Sequence, residues 1–493
     1  MKKMRIWALC LLVFVLTFLF FYQVQYASTG IPGFDGYYHI KLAQIIGEKG
    51  LIRDFPWLKF TFETGRFVDH HFLFHLLLIP FTYFWNLMDS AKIAAVCFAA
   101  MMGTLFFLVI FQSGIKGSLL WVALLLASST PFLYRMSLPR VGPLSLCFLF
   151  ISFLFLREQR HVLLGLTAFF FVWLYGGFTV LMALGLAWTV ADLSLNGKFS
   201  LKGLLSITLG ISAGLIINPY FPQNISFVYL QTMDAGLARN IPGGTEWKPY
   251  DTWYFLKSSA PVFPVVLSSI YVLAISGKRL RTDSLTMLLM SFLFCALYIR
   301  SRRFVEYWVP FSLLASAFVL RDTWQNTQLA KIIKRQSLKI ISSGLLIFAI
   351  LALLGYRYSQ AKDSVGQDPR EPERYRGAAQ WLSQNTPESL VYTSDWDYFP
   401  ELFFYNSQNK YLIGLDPAFM YKRDKLLYDK WIALNRGMAQ DDPYELFLND
   451  FQTVYLFTDY NHSDFIALVE KTPGIALAYS DRFARIYRLL PRE

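Results

Sequence analysis

Apolar stretches long enough to cross a lipid bilayer recur along the chain as far as residue 356, and they constrain its fold most. A transmembrane helix needs roughly 20 predominantly apolar residues. Hydrophobic residues make up 55% of the 493-residue chain, which excludes an ordinary soluble globule and predicts a polytopic α-helical membrane protein. The candidate spans lie near residues 6–24, 71–88, 92–112, 117–134, 142–156, 162–177, 178–193, 203–218, 259–276, 284–300, 303–320 and 338–356.

The net charge of +12 is spread over short connections between these stretches. Basic residues in such positions set membrane orientation and contact anionic lipids, so we expect lipid contact and no nucleic acid. The basic residues before Ile6 could open a signal peptide, but the long apolar run lacks a clear cleavage site and predicts a retained first span. The four cysteines lie in apolar stretches, which argues against disulfides and thiolate metal sites.

The positions of the basic connections predict the orientation of the chain. Those at 157–161, 198–202, 278–281 and 331–339 are expected in the cytoplasm. The loops 27–70 and 219–258, the turn at Arg300–Arg303 and the tail after Tyr356 are then extracytoplasmic, and the protein lies in the plasma (inner) membrane.

This orientation requires an odd number of crossings between His71 and Arg157, although four apolar stretches lie there. One stretch must be re-entrant, be fused with its neighbour or conceal another crossing. We therefore expect about 11–13 transmembrane helices, with 11 or 13 in preference to 12. The side on which Arg135 and Arg140 lie is left open.

Two domains are predicted: a transmembrane domain over 1–356 and a small extracytoplasmic α/β domain over 357–493. In the second, strand patterns alternate with segments of helical length. The predicted strands are 390–393, 453–457, 475–479 and 483–487, and the predicted helices are 373–385, 422–435 and 463–471.

Acidic and imidazole side chains gather in two short segments of the first external loop. The first reads Gly33-Phe34-Asp35-Gly36-Tyr37-Tyr38-His39, and the second reads Arg66-Phe67-Val68-Asp69-His70-His71, followed by His75. Because such groups are costly to desolvate beside a membrane, their clustering indicates a functional site. The alternative is an interfacial loop whose Tyr and His side chains lie at headgroup level.

The first segment resembles the external loop of GT-C membrane glycosyltransferases, most closely the catalytic subunit of oligosaccharyltransferases, in which Asp is followed by Tyr-Tyr-His. Three further segments are similar to elements of that family in the expected order. Val68-Asp69-His70-His71 resembles its Asp-His-His element, 302–310 its Arg-Phe…Tyr…Pro segment, and Ser394-Asp395-Trp396-Asp397-Tyr398-Phe399 its Trp-Trp-Asp-Tyr-Gly signature. The resemblance implies a GT-C-like fold and sugar transfer from a polyprenyl-phosphate or pyrophosphate donor to an extracytoplasmic acceptor.

Two departures leave the acceptor open between a lipid, a polysaccharide and a protein. Asp395 stands where the family has its first Trp, and Phe399 stands where it has Gly. That signature reads the hydroxyl residue of the acceptor site in oligosaccharyltransferases. Protein N-glycosylation is one alternative, and a transporter or flippase for lipid-linked sugars is another. Transporter sites lie near the bilayer midplane, whereas these polar residues lie at one face, which favours the enzyme.

Glycosyl transfer from a lipid phosphate needs a carboxylate that orients or deprotonates the acceptor, and cations that stabilise the departing phosphate. Asp35 is the candidate catalytic carboxylate, although it could instead cap a helix that begins near Gly36. Arg302 and Arg303 are candidate phosphate ligands, because guanidinium pairs bidentately with phosphate oxygens. Their alternative role is anchoring to lipid headgroups.

The resemblance implies roles for the other candidates. The side chains expected to contact substrate are Tyr38, His39, His70, His71, Glu246, Trp396 and Asp397. Glu246 could also be an exposed residue of a turn, and Asp69 could cap and anchor the second span. Asp35, Asp69 and Glu246 could together hold Mg²⁺ or Mn²⁺, which are hard cations that prefer oxygen ligands.

Overall fold

The computed structural model describes residues 2–61, 67–229, 244–326, 336–368, 371 and 373–492. Residues 331–335 of the predicted basic connection lie outside the described residues, and the side chains of 336–339 are not described either. Residues 62–66 and 230–243, which belong to the two predicted external loops, also lie outside. The helices of the amino-terminal part are α1 (Lys2–Gln25), α2 (Asp35–Lys49), α3 (Phe72–Thr82), α4 (Leu87–Gln112), α5 (Ser118–Leu126), α6 (Thr130–Ser137), α7 (Gly142–Arg157), α8 (His161–Leu174), α9 (Thr179–Asn196), α10 (Leu201–Ile216), α11 (Gln223–Tyr229), α12 (Thr252–Ser258), α13 (Val262–Ser276), α14 (Thr282–Arg300), α15 (Val305–Thr323) and α16 (Gln336–Gly366).

These helices form a multi-pass membrane protein. Within the described ranges, six helices are long and apolar enough to cross a bilayer, and two bent pairs, α5 with α6 and α12 with α13, qualify as broken spans. The predicted number of 11–13 spans is higher because it also includes apolar helices of 11 to 16 residues, namely α3, α7, α8 and α10. At about 1.5 Å per residue, these are shorter than the roughly 30 Å hydrocarbon core.

Of the four apolar stretches between His71 and Arg157, the one that forms α3 does not carry the chain across the bundle. Tyr26, just after α1, donates a hydrogen bond to Asp89 at the start of α4, so α4 begins at the end of the bundle where α1 ends. At the other end, Arg157, the last residue of α7, donates to the carbonyl O of Gln112, the last residue of α4. The chain therefore passes through α4, the bent pair α5–α6 and α7, which is the odd number that the charged connections require.

The bend between α5 and α6 returns the chain to the end of the bundle at which α2 begins. The two helices are inclined at 88° around the break at 127–129. The Ser129 side chain accepts a hydrogen bond from the Phe132 amide and Pro131 follows, so α6 has a capped start of its own. This geometry places Arg140 beside Asp35, and Arg135 beside Glu246 and Glu306.

Helices α8 and α10 pack closely because small residues line their contact. A Cβ atom built on Gly210 would lie 2.2 Å from the carbonyl O of Gly165 and 2.8 Å from the Cβ of Ala168. Small residues allow membrane helices to approach in this way, and the gain is van der Waals contact between backbones.

The tail contains a five-stranded mixed sheet and short helices, as the sequence predicts. Its strands run in the order β2-β1-β3-β5-β4, with β1 parallel to both neighbours and β5 antiparallel to β3 and β4. Strand β2 has only two residues, which is too short to show an alternating pattern. The strands are β1 (Leu390–Thr393), β2 (Lys410–Tyr411), β3 (Tyr455–Asp459), β4 (Ile475–Ser480) and β5 (Ala484–Leu489); the helices are α17 (Arg376–Asn385), α18 (Phe399–Tyr405), α19 (Pro417–Arg423), α20 (Lys425–Asn435), α21 (Pro443–Glu445) and α22 (Ser463–Lys471).

The loop between α2 and α3 extends the edge of this sheet. The Tyr411 amide donates to the carbonyl O of Trp57, and the Lys59 amide donates to the carbonyl O of Tyr411. The Trp57 indole N–H donates to the carbonyl O of Ser407 at 2.7 Å. The loop that follows α2 and the tail thus form one structure over the site.

We predict that Gly210→Ala lowers the midpoint of thermal unfolding of the detergent-solubilised protein. The added methyl group must push α8 and α10 apart, and overpacking of this kind costs about 1–3 kcal/mol. Gly355→Ala in α16 is the matched control, because a Cβ at Gly355 meets no atom within 4 Å. Equal midpoints for the two variants would contradict the close packing of α8 against α10.

Candidate active site

Asp35 is the first residue of α2, and its carboxylate points at an arginine. Oδ2 lies 2.6 Å from a terminal nitrogen of Arg140. The N-cap position belongs to Phe34, so the alternative in which Asp35 caps the helix is not what the structure shows. Just before α2, Gly33 adopts φ +69° and its amide donates to Asp368 at 2.7 Å, which orients the turn that leads into Asp35.

Glu246 lies at the centre of a cluster of arginine side chains. Oε2 accepts hydrogen bonds from Arg135 at 3.1 Å and Arg140 at 2.9 Å, and Oε1 lies 3.5 Å from Arg303. Burial alone would raise the pKa of the Glu246 carboxyl, but the charges of the three arginines lower it below its ordinary value. Glu246 is therefore an ionised group held by three guanidinium groups, and not a free residue of a turn.

The cluster contains as many carboxylates as guanidinium groups. Glu306 accepts a hydrogen bond from Arg135 Nε at 3.0 Å, and Asp35 and Glu246 are the other two carboxylates. Pairing offsets the cost of burying these charges, and removing one partner would leave another uncompensated. We refer below to Asp35, Glu246, Glu306, Arg135, Arg140 and Arg303 as the charge cluster.

A relay of hydrogen bonds orients His39. Asp69 is buried, and its Oδ2 lies 2.7 Å from Nδ1 of His75, whose Nε2 lies 2.9 Å from Nδ1 of His39. Oδ1 of Asp69 accepts from the His71 amide just before α3, so Asp69 also helps to cap that helix. When Nδ1 of His75 donates to Asp69, Nε2 of His75 accepts from Nδ1 of His39, and Nε2 of His39 is left as an acceptor.

His70 and His71 lie beside the relay against aromatic rings. His70 stacks on Phe227, and His71 stacks on Tyr175 with centroids 5.8 Å apart. Burial lowers the pKa of His70 to about 4 and that of His71 well below 6.5. Both imidazoles are therefore neutral at pH 7 and suited to hydrogen bonding.

Two cavities meet at the charge cluster. The first, of about 300 Å³, also contains Tyr38, His39, His70, His71 and Tyr175, and we call it the histidine cavity. The second, of about 410 Å³, contains Phe34, Tyr134, Tyr250, Arg302 and Trp396, and we call it the Trp396 cavity. The walls that the two share include Asp35, Arg135, Arg140, Glu246, Trp247 and Asp416.

The tail completes both cavities. Leu415 and Asp416 line each of them, and Leu415 has φ +64°, a left-handed conformation that is strained for a branched residue. Trp396 packs edge-on against Phe34, with centroids 5.8 Å apart. Asp397 lies in the same short turn as Trp396, and its amide donates to Asp395.

The structure adds Glu306, which sequence reasoning missed, and brings Arg135 and Arg140 into the site. The unresolved crossing count had left open the side on which the two arginines lie, and an odd count places them at the same end of the bundle as Asp35. The predicted phosphate ligands separate: Arg303 joins the cluster and donates to Tyr175 at 2.8 Å, whereas Arg302 donates to the carbonyl O atoms of Lys248 and Pro249.

The three side chains suggested as metal ligands do not converge. Asp35 and Glu246 are paired with arginine, whereas Asp69 is occupied by His75 and the His71 amide. No group of three or more His, Cys, Asp or Glu side chains within the described part of the chain is arranged to hold an ion. These residues therefore do not fit a divalent cation bound by the three carboxylates.

A multi-pass helical bundle whose charged site lies at one end, under a small α/β tail, is the architecture expected of the GT-C class. No protein-family profile and no curated sequence matches the chain, but solved structures do. The archaeal oligosaccharyltransferase AglB from Archaeoglobus fulgidus, solved in complex with an inhibitory peptide and a dolichol-phosphate, has a TM-score of 0.66 at 14% identity. The match covers 94% of this chain and 71% of AglB.

Two other enzymes share the fold. ArnT from Cupriavidus metallidurans, solved with undecaprenyl phosphate, has a TM-score of 0.60 at 13% identity, and the match covers 97% of each chain. The arabinofuranosyltransferase AftD from Mycobacteria has a TM-score of 0.59 at 10% identity, covering 98% of this chain and 40% of AftD. The predicted GT-C-like fold is thereby confirmed.

His462, which the sequence leaves apart from the site, supports the turn that carries Trp396. Its Nδ1 lies 2.6 Å from the Tyr398 hydroxyl and 2.8 Å from Asp459, and its Nε2 lies 3.4 Å from Asp395. Burial alone would lower the pKa of His462, but the two carboxylates raise it to about 9.

We predict that this raised pKa makes the protein lose stability as the pH rises between 6.5 and 9. A histidine whose folded pKa exceeds its unfolded value contributes its stability fully below the unfolded value and loses it as the pH rises through the folded value. Thermal midpoints of wild type should fall over this range, and those of His462→Gln should fall less. Identical pH profiles for the two proteins would contradict the raised pKa.

Proposed function

We propose that this protein is an integral-membrane glycosyltransferase that moves a sugar from a polyprenyl-phosphate or pyrophosphate donor to an extracytoplasmic acceptor. The observation that carries the proposal is the position of Asp35, Arg135 and Arg140 in the wall shared by two cavities, with Arg303 in the wall of the histidine cavity. Two substrates can then approach one carboxylate and one set of cations from different sides. The fold that the chain shares with three glycosyltransferases supports the same reading.

In the proposed reaction, an acceptor heteroatom attacks the anomeric carbon of the donor sugar while the bond from that carbon to the phosphate oxygen breaks. The acceptor proton goes to the Asp35 carboxylate. The electron pair of the broken bond goes to the phosphate, whose added charge the guanidinium groups of Arg135, Arg140 and Arg303 stabilise. No step uses a metal ion, because the carboxylates present are paired with arginine and histidine.

The histidine cavity suits the sugar-phosphate end of the donor. Arg303 lies between Tyr175 and the Trp247 ring, with its guanidinium carbon 4.7 Å from the ring centroid. Neutral His39, His70 and His71 offer ring nitrogens to sugar hydroxyls without competing for the phosphate charge. The Trp396 cavity then receives the acceptor, whose apolar faces can pack on its aromatic rings.

Glu246 occupies the position at which the phosphate would bind. It contacts all three arginines, and the charge cluster is balanced while it remains there. A donor phosphate can form the same charge-assisted bonds only when the Glu246 carboxylate moves away. Glu246 is carried by a short turn at Thr245–Trp247, whose displacement would leave the arginines on their own helices and connection.

The tail signature favours an acceptor other than an Asn-x-Ser/Thr protein site. Asp395 pairs with His462, and Phe399 is fully buried and stacks on Phe403. The two residues that depart from the oligosaccharyltransferase pattern, Asp395 and Phe399, are thus engaged in contacts within the tail. A lipid or polysaccharide acceptor is the version of the proposal that these contacts support.

The orientation belongs to the same proposal: the site and the tail face away from the cytoplasm. The basic side chains Arg157, Lys198, Lys202 and Arg281 lie together at the opposite end of the bundle, where the positive-inside tendency would place the cytoplasm.

We predict that Asp35→Asn lowers kcat by about 10²–10⁴-fold, which is the usual contribution of a general base. The substitution keeps the size of the side chain and removes its basicity. Transfer would be assayed with purified protein and a defined polyprenyl-phosphate sugar, and undecaprenyl phosphate binding would be measured in parallel. Retained binding with lost transfer is the expected result.

The control for Asp35→Asn is Asp54→Asn, which removes a carboxylate from the same external loop outside both cavities. Wild-type turnover in Asp35→Asn would remove Asp35 from catalysis. If the variant moves lipid-linked sugar across vesicles as wild type does, without transfer in either protein, the transporter alternative replaces the enzyme.

We predict that Glu246→Gln tightens undecaprenyl phosphate binding by about tenfold, or ~1.4 kcal/mol, because a neutral amide competes less for the three arginines. Glu388→Gln, at an exposed position in the tail, is the matched control for loss of one negative charge. Unchanged or weaker binding in Glu246→Gln would show that Glu246 positions the arginines and does not stand in for phosphate.

A further inference from the structure

A third cavity, of about 720 Å³, lies at the end of the bundle opposite the charge cluster. Helix α7 connects the two ends: Gly142 at its start lines the histidine cavity, and Arg157 at its end lines the third. Helix α14 runs the other way, from Thr282 in the third cavity to Arg300, close to Arg303. We call this third cavity the basic cavity.

Cationic side chains predominate in the basic cavity. Arg157, Lys198, Lys202 and Arg281 line it, together with the carboxylates of Asp192 and Asp283. Asp283 is already held by Arg321 through two hydrogen bonds of 2.7 and 2.8 Å. Arg157 also lies 3.8 Å from Asp283, and Arg281 lies 3.4 Å from Asp322. The positive charge that the wall offers to a ligand therefore comes chiefly from Lys198 and Lys202.

Uncommitted hydrogen-bonding groups also face this cavity. The His161 side chain lines it, although its Nδ1 atom is itself buried away from the cavity. Helices α8 and α10 both begin at its wall, and neither has a side-chain cap that accepts from its first amides. Helix amino termini attract anions.

An exposed apolar stripe leads away from the basic cavity along α10. Leu201 and Leu205 line the cavity, and Leu209 continues the same helix face one turn further, with exposed fractions of 38%, 53% and 68%. Spacing of four residues places the three side chains in one row. Phe199, 63% exposed, stands beside the row at the cavity mouth.

We propose that the basic cavity binds the phosphate headgroup of an anionic phospholipid, with an acyl chain along Leu201, Leu205 and Leu209. Basic pockets between transmembrane helices select such headgroups. A soluble phosphate compound would use the cations but not the stripe, which is why the structure favours a lipid. The proposal does not depend on which group the charge cluster transfers.

The test compares lipid binding to the full-length protein in detergent. Lys198→Gln/Lys202→Gln removes two cations of the basic cavity, and Lys278→Gln/Arg279→Gln is the matched control, since both control residues are exposed and outside the cavity lining. Native mass spectrometry with added phosphatidylglycerol should show about fivefold less bound lipid in the first double variant and wild-type binding in the second, a ~1 kcal/mol difference.

Phosphatidylcholine and glycerol 3-phosphate separate the possible sources of the phosphate. Phosphatidylglycerol should raise the thermal midpoint of wild type more than either compound does, because ligands stabilise the folded state in proportion to their binding. Equal lipid retention in both double variants would overturn the proposal. So would equal stabilisation by glycerol 3-phosphate, which would indicate a site for soluble anions, or by phosphatidylcholine, which would indicate binding without charge selection.

Discussion

The site depends on the pairing of Glu246 with three arginines at the rim of the membrane bundle. Each arginine comes from a different part of the chain: Arg135 from α6, Arg140 from the connection before α7, and Arg303 from the turn before α15. Buried charges are stable only when paired, so these contacts keep the surrounding elements in register. The same pairing defines an anion position with three convergent guanidinium groups.

This arrangement links stability to function in a specific way. Arg135 also pairs with Glu306 and Arg140 with Asp35, so Glu246 balances the one guanidinium charge of the cluster that would otherwise be uncompensated. In the proposed reaction, a donor phosphate would exchange one set of charge-assisted bonds for another, without leaving the arginines unpaired. Because Asp35 is bound to Arg140, one of the same arginines, exchange at Glu246 changes the surroundings of the proposed base.

The tail contributes to the site through backbone as well as side chains. Trp57 and Lys59 pair with Tyr411 at the edge of the tail sheet, and strand β2 leads directly to Leu415 and Asp416 in the cavity walls. Burial raises the pKa of the Asp416 carboxyl, which lines both cavities together with Asp35. The turn at Trp396–Tyr398, which His462 supports, contributes Trp396 to the wall of the Trp396 cavity.

The sequence by itself determined the fold class and part of the candidate site. Long apolar stretches must be helical, since a helix satisfies its backbone hydrogen bonds within its own segment. The clusters around Asp35 and His70, with Glu246 and Arg303, could be recognised because charged groups are expensive beside a membrane. Strands β1, β3, β4 and β5 were likewise predicted from local alternation.

Only the tertiary structure decided which charges meet. Asp35 and Arg140 are 105 positions apart in the sequence, and Glu246 and Arg135 are 111 positions apart. Because burying a charge is costly, each of these side chains needs a partner of opposite charge, but that cost does not specify which partner it is. The partners follow from the course of the chain: α3 does not cross, and the 88° bend between α5 and α6 brings Arg140 back to Asp35 and Arg135 to Glu246. Local patterns of hydrophobicity could not show the course of α3 or the bend between α5 and α6, because both features depend on contacts between distant helices.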